Sequence, residues 1–235
     1  MDILEDVEAF NEDMNYDHRI IIYKHKDNLY KLTTKNRGKD FKLNQEDDEL
    51  INIKLIYPIY NNYKIFKGNI EDAYIKKPSL LSYDKNSNNT DLIIREMRFL
   101  EELKEVEGVC GYHGCVVEDG LVKGLALTKY KYDLYEFIES KIGEIKVIDF
   151  LSKLVKTIDD IHSHNIIHGD LNPHNIMVNN NNPIIIDFDS SGYIGKKLEK
   201  KFGTFGWEVE NNGFYDRKID YQGIGLISKY LFDNV

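Results

Sequence analysis

The sequence predicts an α+β protein in two lobes, an antiparallel sheet carrying one helix followed by a mainly helical part. Three observations carry this expectation. The first half is made of short β-branched and aromatic runs separated by turn pairs such as Asp119-Gly120. The second half carries two long stretches of helical period, residues 147–164 and 219–232. The change of character falls near residues 129–133, and one helical pattern, residues 91–106, interrupts the strand-rich half.

Taken in order, residues 1–18 are acidic and are expected to be poorly ordered. "RIIIYKHKDNLYKLTT" reads as a β-hairpin around Lys26, Asp27 and Asn28. "DFKLNQEDDEL" is a polar connection, and "YKIFKG" and "DAYIKK" read as two further strands around Gly68-Asn69. "SYDKNSNNT" is a loop of turn formers. In residues 91–106, Ile93, Met97, Leu100 and Leu103 fall on one face, with Thr90 as N-cap and Gly108 as terminator. "CVVED" and "GLALTKY" form a hairpin on Asp119-Gly120. The helix at 147–164 should bury Leu151, Leu154, Val155, Ile158 and Ile161. Residues 166–167, 176–178 and 184–186 are short buried strands, with the asparagine run at 179–182 as a hairpin loop. The expected division is residues 1–18 as a tail, 19–129 as the N-terminal lobe and 130–235 as the C-terminal lobe.

Composition narrows the partners. A net charge of −9 and an isoelectric point near 5.3 argue against nucleic acid, whose phosphates call for a basic surface. No apolar run approaches the ~20 residues of a membrane helix, so no membrane partner is expected. The N-terminus has no basic segment followed by an apolar core, which argues against a secretory signal. Cys110 and Cys115 alone do not have zinc-site spacing and suit a reducing, cytoplasmic compartment. The abundance of Asn, Ile, Lys and Tyr suggests an AT-rich genome. Nothing in the sequence sets an oligomeric state.

The chemistry concentrates in "IIHGDLNPHNIMVNNNNPIIIDFDSSG", residues 166–192. Asp170 and Asn175 lie five apart on a loop, and Asp187 follows a buried isoleucine run. Two oxygen ligands meeting at a strand end suit Mg²⁺, which takes few protein ligands and keeps water or phosphate for the rest. A further carboxylate can accept a proton from an incoming hydroxyl. For any single residue a turn cap is the better reading; for all of them in this order it is the poorer one.

These segments resemble the protein-kinase-like superfamily, in its eukaryotic Ser/Thr form. "HGDLNPHN" is similar to the catalytic loop H-R-D-L-x-x-x-N, and "DFD" to the D-F-G that follows it. "IIREMRFLEEL" resembles helix C, "AYIKK" the strand-3 V-A-I-K, and "LTKYKYDLYEFI" the hinge with helix D. "GTFGWEVEN" resembles the end of the activation segment and "DYQGIGLISKYL" the start of helix F, with Asp220 at its buried Asp. The resemblance implies a two-lobed kinase fold and the cofactors ATP and Mg²⁺. Asp170 would orient the acceptor hydroxyl and take its proton. Asn175 and Asp187 would hold Mg²⁺, and Lys76 would contact phosphate and pair with Glu96. Lys77 is a rival for Lys76, since a one-residue slip reverses the faces of a strand. Thr128 would be the gatekeeper. The backbones of Lys129 and Tyr130 would meet adenine, and Ile65 is assigned to the nucleotide with them.

The departures have consequences of their own. "PIYNNY", residues 58–63, stands where a glycine-rich loop should be and has no glycine. Asn172 holds the catalytic-loop position where Ser/Thr kinases carry a lysine. Asp189 replaces the last residue of D-F-G, Glu210 and Asn211 replace Pro-Glu, and Gly169 stands where an arginine is common. Without that arginine, no phosphate on the activation segment is expected to be read there, and Thr204 is expected to bond the catalytic loop. The chain stops soon after the helix F-like stretch, which implies a minimal form with a shortened C-terminal lobe. Such a form could be viral and act in a host cytoplasm. The leading expectation is a kinase for protein Ser/Thr. The rivals are a small-molecule kinase of the aminoglycoside/choline type, for which Asp189 would be a second carboxylate near the metal, and a pseudokinase that binds a partner kinase. The crowding of His162, His164, His168 and His174 reads as loop and helix-end polarity rather than a metal site, and the basic "GKKLEKKFG" as a solvated loop.

Overall fold

A strand that composition gave no reason to expect opens the chain. In the computed structural model, which describes residues 1–11, 13–38, 43, 47–81, 83–86, 90–198 and 204–235, β1 (Asp2–Phe10) pairs antiparallel with β2 (Tyr16–His25). The expectation of a poorly ordered residues 1–18 is therefore corrected. The acidic side chains that suggested it are gripped by arginines. Arg19 forks onto the Asp6 carboxylate, and Arg37 takes both oxygens of Glu8 at 2.9 and 3.0 Å while lying over the Phe10 and Tyr16 rings. Bidentate guanidinium–carboxylate pairs hold geometry as well as charge.

Two compact units form. The first comprises residues 1–62, 77–91 and 117–124, the second residues 63–76, 92–116 and 125–235. They differ from the expected 19–129 and 130–235 because residues 73–76 and most of the first α-helix pack with the segments that follow residue 125.

In the first unit β2 also pairs with β3 (Asn28–Thr34), giving the expected hairpin, and β4 (Glu49–Leu50) extends the sheet. Most of the polar connection before β4 lies outside the described residues. Ile22, Ile51, Ile56, Leu80 and Tyr83 are buried together as this unit's core. Lys31 Nζ donates to the Tyr83 carbonyl at 2.8 Å, so a long cation satisfies a backbone acceptor beside apolar packing.

In the second unit β5 (Ala73–Lys76) pairs antiparallel with residues 125–128, Lys76 lying opposite Leu125. The helix α1 (Thr90–Glu102) ends four residues before the expected boundary, and its stripe of Ile93, Met97, Leu100 and Leu103 is buried as expected. β6 (Tyr112–Glu118) and β7 (Leu121–Thr128) make the hairpin on Asp119-Gly120, whose tip, residues 117–124, belongs to the first unit. "YKIFKG" is not the expected strand paired with β5. It makes a single bridge, Ile65 to Cys115, and the turn after it is a short 3₁₀ stretch, Ile70–Asp72. Gly114 makes that bridge possible. Its φ is +127°, and a Cβ there would lie 2.7 Å from the Phe66 nitrogen.

The helical part begins with α2 (Leu134–Glu139), whose N-cap Asp133 accepts from the Glu136 amide at 2.6 Å. α3 (Val147–Ser163) buries Phe150, Leu154, Ile158 and Ile161, while Leu151 and Val155 are only half-buried. β8 (Ile166–Ile167), β9 (Ile176–Asn179) and β10 (Asn182–Ile185) follow, and β11 (Gly192–Tyr193) pairs back onto β8. Asn180 and Asn181 turn the β9–β10 hairpin with φ of 50° and 62°, a conformation asparagine tolerates better than most residues. α4 (Arg217–Asn234) closes the described chain, with Asp216 as N-cap. The α+β architecture matches the expectation.

Replacing Ile22 with Ala should cost about 2–4 kcal/mol, the usual range for emptying a well-packed core position. Urea denaturation followed by circular dichroism checks this, and a loss below 1 kcal/mol (roughly the cost of a mild volume change) would contradict the packing described.

Candidate active site

The loop from β8 to β9 is hung on one buried carboxylate. Asp220, on the first turn of α4, accepts the amides of His168 and Gly169, each at 2.9 Å, and its Oδ2 also meets His162 Nε2 at 2.8 Å. His168 Nε2 faces the Ile186 carbonyl at 3.0 Å and so carries the proton, which leaves Nδ1 to accept from the Asp170 amide at 3.3 Å. Gly169 has φ +86°, and a Cβ on it would stand 2.7 Å from the Ser190 carbonyl oxygen. The glycine is thus a backbone requirement: any side chain here strains φ and crowds the carbonyl of the turn at residues 189–190.

From this anchor the polar side chains converge. Thr204 Oγ1 lies 2.9 and 2.8 Å from the two Asp170 carboxylate oxygens, and Asn172 Nδ2 donates to that hydroxyl at 3.2 Å. Thr204 bonds the catalytic loop as expected. Asn175 Nδ2 donates to the Asp170 carbonyl at 2.9 Å and to its Oδ2 at 3.2 Å. With its amide nitrogen committed, Asn175 offers Oδ1, a hard oxygen donor of the kind Mg²⁺ takes.

Lys76 is the cation of the site. Its Nζ sits 2.7 and 2.9 Å from the two Glu96 oxygens and 2.8 Å from Asp187 Oδ1. Lys77 lies outside β5, and the Glu96 pair is made by Lys76. Burial alone would lower the Lys76 pKa, but Glu96, Asp187 and Asp189 outweigh it and hold the ammonium above its ordinary value. Burial pushes the Glu96 carboxyl up, against the pull of Lys76. Removing the lysine would strand an almost fully buried carboxylate, a loss of about 3–5 kcal/mol for pairs of this kind. Asp187 has φ +63°, so the backbone there is in the left-handed region.

A cavity of about 280 Å³ opens beside Lys76 and Asp187. Thr128 and Tyr130 line it, whereas Ile65 and Lys129 are not among the lining residues. Ile65 is engaged with Cys115, and Lys129 Nζ reaches toward the Glu71 carbonyl at 3.4 Å. The apolar walls were missed: Tyr74 and Leu127 from the β5–β7 pair, Met177 from β9, and Ile186. A signal was present, since Tyr74 is two residues before Lys76 and shares its face, and Ile186 immediately precedes Asp187. Cys110 also lines the cavity, its thiol pushed up to about 12 by burial and then by the Glu96 charge. The segment at 58–63, which stands where the family has a glycine-rich loop and has no glycine, runs alongside residues 120–122, through Tyr60 N to Gly120 O and Val122 N to Pro58 O.

Among the described residues no group of three or more His, Cys, Asp and Glu side chains is arranged to hold a metal. The histidines are spent separately, His162 on Asp220, His168 on Ile186 and His174 on Asp133. The oxygens of Asn175 and Asp187 are nonetheless the donor set that suits one Mg²⁺ sharing its remaining positions with phosphate and water.

A cation paired with a helix carboxylate, an Asp after a strand and an Asp–Asn loop form the constellation that kinase-type sites use. Residues 62–234 match the protein kinase domain family, and the chain belongs to that family. The serine/threonine-protein kinase KIC1 of Saccharomyces cerevisiae is 24% identical over 172 residues, 69% of this chain and 16% of that protein. The serine/threonine-protein kinase TAO2 of Homo sapiens is 27% identical over 167 residues, 67% of this chain and 13% of that protein. The chain thus spans about a sixth or less of the length of these curated relatives. Among solved structures, the kinase PK-1 of Cydia pomonella granulovirus superposes with a TM-score of 0.51 at 17% identity, covering 58% of this chain and 53% of that one. At that identity the likeness shows the fold.

Gly169→Ala should destabilise the protein by about 1–3 kcal/mol, the range for a forced left-handed residue, here with a backbone clash added. Thermal unfolding of the variant checks this, and an unchanged midpoint would mean that the loop does not need its glycine.

Proposed function

We propose that the chain is an ATP- and Mg²⁺-dependent phosphotransferase that acts on serine or threonine hydroxyls of a protein, in the cytoplasm of its cell or host. The observation that carries this reading is the convergence of Lys76, Glu96 and Asp187 at one end of an apolar-walled cavity. Tyr74, Leu127, Met177 and Ile186 offer flat apolar contact of the kind a purine ring fills. Lys76 takes the phosphate charge, held in place by Glu96. Asn175 Oδ1 and the Asp187 carboxylate hold the cation, whose chemistry is to neutralise phosphate charge. Asp170 accepts the proton of the incoming hydroxyl, and Asn172 and Thr204 set the direction of its carboxylate. The serine/threonine preference rests on the relatives.

A small-molecule acceptor is the second reading. Asp189 favours it: its charge acts on Lys76 beside that of Asp187, so a second carboxylate follows the metal-type Asp. A panel of protein and aminoglycoside or choline acceptors, incubated with labelled ATP and Mg²⁺, separates the two.

ATP alone should raise the melting temperature slightly and ATP with Mg²⁺ should raise it more. Ligand linkage gives about 2.7 kcal/mol at a hundredfold excess over Kd. The shift should shrink in Asp187→Ala; no shift at millimolar ATP·Mg²⁺ would sink the nucleotide-binding reading.

Asp170→Asn keeps the size of the side chain and removes the proton acceptor. Nucleotide binding should persist while phosphotransfer falls about 10²–10⁴-fold, the usual span of general-base contributions. Transfer at the wild-type rate would reduce Asp170 to a turn residue.

A further inference from the structure

The kinase reading requires Lys76, Glu96 and Asp187 to stay together, and Gly169 offers no side chain that could read a phosphate to keep them so. The contacts of α1 supply another means. Residues 95, 99 and 102 follow helical spacing i, i+4 and i+7 and share one face, with residue 96 flanking it. Each of the four meets the stretch 187–193. Arg95 Nη2 donates to the Asp189 carbonyl at 2.6 Å, and the Phe188 amide donates to Glu96 Oε1 at 3.3 Å. Seven residues on from Arg95, Tyr193 donates its hydroxyl to Glu102 Oε1 at 2.6 Å, and its ring stands edge-on to Phe99 at 5.2 Å. The same stretch is held from its other side. Ser191 Oγ donates to the His168 carbonyl at 2.9 Å, Tyr215 donates to the Ser190 carbonyl at 3.0 Å, and β11 pairs with β8 just before the catalytic loop.

We infer that Arg95 and Tyr193 are positioning residues: they latch α1 onto residues 187–193 and so hold Glu96 against Lys76 and Asp187 without phosphate on the activation segment. This rests on the phosphotransferase reading and deepens it. The chemistry of each contact fits the role. A guanidinium bond to a backbone carbonyl is charge-assisted and depends on where residue 189 lies, not on its side chain. Tyr193 fixes the far end of the helix. Two separated attachments also resist rotation of α1, which one ion pair at Glu96 cannot do alone.

The test uses the whole chain, treated with phosphatase, in four forms: wild type, Arg95→Met, Arg95→Lys and Tyr193→Phe. Hydrogen–deuterium exchange of residues 187–193 and of α1 is read first, because it does not depend on turnover. Exchange there should be slow in the wild type and about tenfold faster in Arg95→Met and Tyr193→Phe, with β9–β10 unchanged. Arg95→Lys, which keeps a donor for the Asp189 carbonyl, should restore much of the protection. Initial rates on a protein acceptor should then show kcat lowered in Arg95→Met and Tyr193→Phe with KM for the acceptor within twofold of wild type. The phosphatase-treated wild type should keep its full rate. Exchange unaltered by either variant would overturn the latch, as would a wild type whose rate collapses on dephosphorylation. Slow, variant-sensitive exchange in a protein that transfers no phosphate would uphold the latch and overturn the phosphotransferase reading alone.

Discussion

The site depends on the Asp220 carboxylate. It is fully buried and answers for its charge by accepting two successive backbone amides and facing a histidine. The pairing is reciprocal, because the amides of His168 and Gly169 point into the interior and would otherwise be unsatisfied there. One charge on α4 therefore sets the direction in which the loop leaves β8. The positions of Asp170, Asn172 and Asn175 follow from that departure.

A second constraint is the excess of acid around Lys76. Three carboxylates, Glu96, Asp187 and Asp189, act on one ammonium. Such a cluster is stable only while every member is held, and the holding is shared among α1, β5 and the turn at residues 187–189.

Much of this arrangement was legible in the sequence because it follows from periodicity and local order. The buried face of α1, the asparagine turn between β9 and β10, and the loop order Asp170, Asn172, Asn175, Asp187 are short-range properties. What failed was long-range. The acidic β1 reads as a tail until Arg19 and Arg37, which lie on or beyond its partner strand, are seen to neutralise it. Ile65 appeared well placed for a nucleotide, but its partner Cys115 lies fifty residues along the chain. Tyr74 and Met177 are ordinary strand residues whose shared cavity exists only after β5 and β9 are brought together. Gly169 reads in the sequence as a missing arginine, and only the nearby Ser190 carbonyl shows that the backbone turn itself calls for a glycine.

β1 is the outermost strand of its sheet, with β2 as its only neighbour among the described strands. Its free edge is nine residues long, enough to template the addition of another chain. Asp2, Glu5, Asp6 and Glu8 are spread along that edge, while the arginines that answer them sit inward on β2 and after β3. Asp6 and Glu8 are already paired with Arg19 and Arg37, so Asp2 and Glu5 are the carboxylates that a strand approaching this edge would meet. The same acidity that disguised the strand in the sequence puts charge along its open edge, the kind of feature that discourages edge-to-edge pairing.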